Sequence, residues 1–198
     1  MPHYSEDEHR SEIALTCIKA LQEYRNKSTE FILVCNGSYP ELKIYCDKYF
    51  ERKADPSPGR SFNIGAKHAE GNILAFICDD VLVHKGWLKE CIKIVKKYPK
   101  YLATPYFPHN RKWHELDPID GYCVNSRVGS NCVIMTRKQF EDIGRWDEVN
   151  PIYDGSNYLN RWIAKGYAVM MTKERLADDL GRRTHSYLKQ QEEMGYHK

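Results

Sequence analysis

The sequence predicts an α/β fold, one sheet with helices packed on both faces. Two short apolar runs, Phe31-Ile-Leu-Val-Cys35 and Ile73-Leu-Ala-Phe-Ile-Cys78, have the character of strands buried on both sides. Helix-patterned segments alternate with them, as expected when helices cover a sheet. A carboxylate pair, Asp79-Asp80, follows the second run directly, and α/β sheets bind ligands beyond the carboxyl ends of their strands.

Each element has a local reason. Ser5-Glu-Asp-Glu8 reads as a capping box opening a helix that buries Ala14, Cys17, Ile18, Leu21 and Tyr24. Asn36-Gly-Ser38 ends the first strand, and Ser38-Tyr-Pro-Glu41 caps the next helix. Residues 51–60, with two prolines and Gly59, form a loop, and the helix from Ser61 to Glu70 stops at Gly71. A further helix runs from Gly86-Trp87-Leu88 through Val95 to Pro99. Tyr101–Tyr106, Cys132–Thr136 and Ala168–Thr172 are strands. Arg137–Ile143 and Ser156–Ala164 are helices, the latter stopped by Gly166.

Composition narrows the class. A chain of 198 residues, 41% hydrophobic and 29% charged, is long enough for a single domain with a real core. A net charge of +3 is too mild to imply nucleic-acid binding by itself. Seven cysteines without a Cys-x-x-Cys pair argue against a structural zinc site, and their odd number argues against a disulfide framework. No signal peptide or bilayer-length apolar run is evident, so the expected setting is the cytoplasm, with peripheral membrane attachment left open.

Asp79 and Asp80 place two hard oxygen ligands where a buried strand meets solvent, an arrangement that suits Mg²⁺ or Mn²⁺ held against a diphosphate. A plain turn or helix cap is the competing reading of such a pair.

The block Gly59-Arg-Ser-Phe-Asn63-Ile-Gly65-Ala-Lys-His-Ala69-Glu-Gly71, running on through the strand to Asp80, resembles the central block of family 2 glycosyltransferases. Gly129–Arg137 and Phe140–Glu148 resemble the acceptor-side block of that family. Asp154 with Arg161, Gly166 and Tyr167 resembles the block carrying the catalytic base, and His185 matches a C-terminal histidine. The resemblance runs from about residue 28 to 186 with four blocks in order. It implies a single GT-A-type, Rossmann-like domain over 1–198, its mixed sheet flanked by helices. Residues 1–106 would form the nucleotide-sugar half, 107–176 the acceptor half and 177–198 a C-terminal tail. The family's first strand, which ends in Pro-x-x-Asn, is missing before Met1-Pro2-His3-Tyr4.

The resemblance also implies the chemistry: transfer of a hexosyl or pentosyl group from a nucleotide-diphosphate sugar, with inversion and a divalent metal. Asp80 is the first-choice metal ligand, and Asp79 would touch ribose or a metal-bound water. Arg60 pairs with phosphate oxygens or lies on the surface. Asn63 faces the donor or caps its helix, and Asn36 bonds a base edge. His185 binds the metal or diphosphate, or is merely exposed. Asp154 is the candidate base, or else an N-cap before Ser156. Trp146 and Asp147 shape the acceptor wall, with core packing the rival reading for the tryptophan. The expected acceptor is a glycan or lipid-linked hydroxyl. A glycosyltransferase of modified DNA bases and a non-catalytic sugar-nucleotide or partner-binding module are the alternatives.

Overall fold

The computed structural model describes residues 2–3, 8–52, 57–107, 119–125, 131–148 and 154–181. The elements run β1 (Pro2–His3), α1 (Glu8–Tyr24), β2 (Ile32–Asn36), a 3-10 turn (Pro40–Tyr45), β3 (Lys48–Arg52), α2 (Pro58–His68), β4 (Ile73–Ile77) and β5 (Val81–Val83). They continue as α3 (Trp87–Lys97), β6 (Tyr101–Tyr106), β7 (Cys123–Asn125), β8 (Cys132–Thr136), α4 (Arg137–Ile143), α5 (Asp154–Ala164), β9 (Ala168–Arg175) and β10 (Ala177–Asp179). Strands β4-β8-β6-β9-β7 form a five-stranded mixed sheet, β1-β2-β3 a parallel three-stranded one, and β5 pairs with β10.

Side-chain alternation divides the interior in two. In β8, Val133 and Met135 join one cluster with Leu74, Phe76, Leu102, Val169 and Met171, covered by Phe62 of α2 and Tyr158 and Trp162 of α5. Ile134, between them, joins Ala103 and Met170 in the other cluster, covered by Ile18 and Leu21 of α1 and by Leu88, Cys91 and Ile94 of α3. A period of two along each strand sends successive residues to opposite faces, and both faces are dry. That is why these strands read as unbroken apolar runs. On α1, Ala14, Cys17, Ile18 and Leu21 are buried as expected, while Tyr24 is only half-buried. The box residues Ser5–Asp7 lie outside the described residues.

Several boundaries differ from the sequence expectation. Residues 51–60 hold the end of β3 and the start of α2. Strand β3 (Lys-Tyr-Phe-Glu-Arg) is half-buried and charged, as suits an edge strand, so it gives no apolar signal. Helix α2 starts at Pro58 rather than Ser61, because the Ser57 side chain accepts the Arg60 N–H (3.4 Å) and proline fits the first turn. Its cap is Ala69, not Gly71, and the Arg137 guanidinium donates to the carbonyls of Ala69 (2.7 Å) and Gly71 (2.8 Å) at its end. The segment expected as a helix capped by Ser38 is the 3-10 turn, preceded by Tyr39 with no side-chain cap. Strand β9 runs on to Arg175, and α5 starts at Asp154 rather than Ser156. A two-residue strand, β1, pairs parallel with β2 at Val34 and Cys35.

Asp47 ties three elements together. It takes the Arg25 guanidinium just beyond α1 and the Phe31 N–H (2.7 Å), and its own N–H donates to the Phe31 carbonyl (2.9 Å). The Arg25 hydrogen bond, with that from Phe31, holds the Asp47 carboxyl below its ordinary range. A carboxyl depressed in the folded state stabilises above its unfolded pKa of about 3.9 and loses that contribution as pH falls through its folded value. Urea midpoints of wild type and Asp47→Asn should therefore differ at pH 6, with wild type the more stable, and converge as pH is lowered below about 4. A gap constant with pH would show that the Asp47 charge does not contribute.

Candidate active site

Asp79 and Asp80 leave β4 in a turn closed by the Val81 N–H and the Cys78 carbonyl (3.3 Å). Two elements hold that turn. The Cys78 N–H donates to the Asn131 carbonyl (2.8 Å), just before β8. On the other side β10 pairs antiparallel with β5, setting Asp179 opposite Val81, and the Leu180 N–H donates to the Asp80 carbonyl (2.8 Å). The chain then reaches Gly181, where an added Cβ would stand 2.0 Å from Asp80 Oδ2. A side chain at 181 would force the Asp80 carboxylate to move.

Asp179 is the third carboxylate of this group. The buried Cys17 thiol on α1 reports the convergence: burial drives its pKa well up, and the charges of Asp80, Asp79 and Asp179 push it further the same way. Cys35 on β2 is pushed up to about 12, mainly by burial, with the charge of Asp79 a minor contributor. Asn131 Nδ2 donates to Asp179 Oδ2 (3.0 Å), fixing that carboxylate against the start of β8. Behind it, burial works to raise the Asp178 carboxyl, but Arg175 and the His84 ring (Nε2 to Oδ2, 3.0 Å) hold it below its ordinary range. Sequence reasoning missed Asp179, Asn131 and Gly181. The signal was there, since Asp178-Asp-Leu-Gly181 repeats the theme of paired carboxylates at a strand end.

A second neighbourhood forms where α2 meets the loop after α4. Asn63 is buried and bonds the Trp146 backbone twice, accepting from its N–H (2.9 Å) and donating to its carbonyl (3.0 Å). Its amide also donates to Glu148 Oε1 (2.7 Å). Glu148 gathers Arg60 (3.5 Å) and Arg145 (2.7 Å) as ion pairs. Helix and loop meet so closely that a Cβ on Gly59 would lie 2.2 Å from the Asp147 carbonyl oxygen. Asp147 accepts from Asn157 on α5 (2.9 Å). Trp146 is a core residue: 2% exposed, it stacks on Tyr158 with ring centroids 3.8 Å apart and packs against Phe62 and Phe76.

The proposed site residues thus fall into two groups. Asp79 and Asp80 stand together with Asp179, and Asn36 is buried at the end of β2 beside Cys35. Arg60 and Asn63 belong to the α2–loop junction. Asp154 is the first residue of α5, but its side chain lies outside the described part, as does His185 altogether. Among the described residues no three His, Cys, Asp or Glu side chains are arranged to enclose an ion by themselves. Mg²⁺ and Mn²⁺ bound to phosphates ask for only one or two carboxylates.

With strand ends, carboxylates and the glycine-rich helix in place, comparison with known proteins gives a direct answer. The chain belongs to glycosyl transferase family 2, whose sequence model matches residues 1–161. Its fold is GT-A. The mannosyltransferase PcManGT from Pyrobaculum calidifontis, solved with GDP-Man and Mn²⁺, superposes with a TM-score of 0.69 at 15% identity over 90% of this chain and 55% of its own. GalNAc-T7, solved with UDP, GalNAc and Mn²⁺, gives 0.67 at 11% identity over 89% of this chain and 42% of its own. S. aureus TarS 1-349 gives 0.64 at 14% identity over 89% and 58%. The chain therefore spans about half the length of these solved relatives. No curated protein sequence matches it.

The Asn63 clamp carries a measurable consequence. Asn63→Ala leaves the buried N–H and carbonyl of Trp146 without these partners, so urea unfolding should show a loss of about 2–3 kcal/mol. An unchanged midpoint would mean that the Trp146 loop holds its place without Asn63.

Proposed function

We propose that this protein transfers a sugar from a nucleotide-diphosphate sugar to an acceptor hydroxyl, with inversion, using Mn²⁺ or Mg²⁺. The carrying observation is the meeting of strand ends at Asp79-Asp80: β10 sets Asp179 opposite Val81, the Leu180 N–H donates to the Asp80 carbonyl, and Gly181 lies against the Asp80 carboxylate. A carboxylate at such a strand end fits the one or two oxygen ligands that a phosphate-bound hard cation asks of a protein. Asp80 is the residue to hold that cation, with His185 as a second candidate. Once bound, it supplies Lewis-acid stabilisation to the departing diphosphate.

The chain's own groups divide the remaining work. Asp79 suits the ribose, and Asn36, buried at the end of β2, a base edge. Arg60 stands at the start of α2, where the helix dipole also favours a phosphate, and its guanidinium can turn from Glu148 to a bidentate phosphate contact. Asp154 opens α5 and is the base proposed to take the proton of the acceptor hydroxyl. The dipole of α5 favours its ionised form. Asn63, through Trp146 and Glu148, fixes the loop after α4. No helix among the described residues is long and apolar enough to cross a membrane.

Two tests separate donor and acceptor roles. Asp80→Ala should reduce donor cleavage to background and weaken nucleoside diphosphate binding by titration calorimetry in Mn²⁺, while its thermal midpoint stays near wild type. Gly181→Ala should reproduce the binding loss, because it displaces the same carboxylate. Activity that persists in Asp80→Ala, or in chelator, would overturn the metal assignment.

Asp154→Asn should lower turnover by roughly two to four orders of magnitude with nucleotide affinity intact. Loss of both together would mark Asp154 as a structural residue of α5.

A further inference from the structure

Charge is spread unevenly along this chain. Of its 30 lysines and arginines, six are Lys85, Lys89, Lys93, Lys96, Lys97 and Lys100, and only one of its 27 acids, Glu90, lies among them. The remaining 24 basic and 26 acidic side chains leave the rest of the chain at −2, while this stretch carries +5. Helix α3 turns that charge into a face. Trp87, Leu88, Cys91, Ile94 and Val95 are buried, and at helical spacing Lys89, Lys93, Lys96 and Lys97 share the opposite side. Every exposed residue from Lys85 to Lys100 is one of the six lysines or Pro99. Lys93 pairs with Glu90 (2.6 Å) and Lys97 with Asp120 (2.8 Å), and the other four form no ion pair among the described residues. Beyond the end of α3 the face is rimmed by tyrosines. Tyr98 meets Tyr101 and Tyr122 edge-on with ring centroids 6.2 Å apart, and Lys97 and Lys173 lie over the Tyr98 and Tyr122 rings. All three rings are half-buried.

We propose that the lysine face of α3 docks this protein on the headgroups of an anionic phospholipid bilayer. The apolar side of α3 is occupied by the core, so the helix has no apolar stripe to insert and the contact is electrostatic. A plane of negative charge is the partner that such a face fits. It meets four lysines spread over about 12 Å of helix at once, and the potential of an anionic leaflet attracts each of them. All six cations are lysine. Lysine is a compact, hydrated point charge on a flexible stem and suits a diffuse field. The paired contacts by which nucleic acids are read favour the planar fork of arginine instead. Half-buried tyrosines at the rim suit the same interface, where a ring keeps its apolar body inward and its hydroxyl toward water. The rest of the chain, acidic by two charges, is not drawn to such a surface, so the attraction also orients the molecule. Docking of this kind requires no catalysis and stands apart from sugar transfer.

Co-sedimentation with vesicles tests this. The 198-residue chain should bind vesicles of phosphatidylcholine containing about one-third phosphatidylserine but not vesicles of phosphatidylcholine alone. Raising the salt from about 0.05 M to about 0.5 M should release it. Replacing three lysines together, Lys89→Gln, Lys93→Gln and Lys96→Gln, should weaken partitioning roughly a hundredfold, each lysine near the surface counting for about fivefold. Its thermal midpoint should stay within about 2 °C of wild type, because the three side chains are exposed and glutamine suits a helix. If that midpoint falls further, the double replacement Lys89→Gln and Lys96→Gln takes its place, with a loss of roughly twenty-fivefold expected. A matched variant, Lys67→Gln, Lys138→Gln and Lys165→Gln, removes the same charge from exposed positions on the other helix layer, and it should bind within about threefold of wild type. Equal weakening in the two variants would reduce the effect to net charge and overturn the proposal. So would equal binding to neutral vesicles, no binding to anionic ones, or binding that persists without the α3 lysines. Tighter binding to duplex DNA at the same salt, lost with those lysines, would assign the face to nucleic acid and overturn it too.

Discussion

Burial of the central strands on both faces is the constraint from which the rest of this structure follows. In β4, β8, β6 and β9 successive side chains enter two different cores, so the strand interiors have no room for a polar group without a partner. The hydroxyl of Thr104 shows the rule: fully buried, it donates to the Cys132 carbonyl at 2.7 Å. Carboxylates are therefore confined to the strand ends, and the turn after β4 is where the chain first regains water. Asp79 and Asp80 stand there for that reason, and the ends of β2, β8 and β10 arrive at the same place.

The same constraint explains what the sequence made legible. Strands dry on both faces announce themselves as apolar runs, and β2, β4, β6 and β8 fall close to their expected limits. The edge strand β3 and the short β5, β7 and β10 do not, because pairing with a neighbour rather than side-chain character makes them strands. The Asp79-Asp80 pair was visible as the end of a buried run. Asp179 was not, since its place beside Asp80 comes from a β5–β10 pairing across almost a hundred residues of sequence. Asn63 and Gly59 were visible only as part of a family-like block. Their physical work, a backbone clamp on Trp146 and a close approach to Asp147, needs the tertiary structure to be seen.

The site is thus built by two unlike means. At the end of β4, backbone pairing brings carboxylates together, and a glycine leaves space for one of them. Where α2 meets the loop after α4, a buried amide and a carboxylate, Asn63 and Glu148, organise a loop that would otherwise carry several unsatisfied groups. Glu148 collects two cations and one amide, so its charge is compensated from both α2 and the loop itself. Removing it would leave Arg60 and Arg145 close to each other without the anion between them.

The stack of Trp146 on Tyr158 has a practical use of its own. Asp154 precedes Tyr158 by four residues, about one helical turn, on α5. Tyr158 is pressed against Trp146 on one side and meets Trp162 edge-on. Any displacement of α5 must change the surroundings of two buried indoles. Their emission is therefore a built-in optical gauge of whether the first turn of that helix is seated, readable without attaching a label.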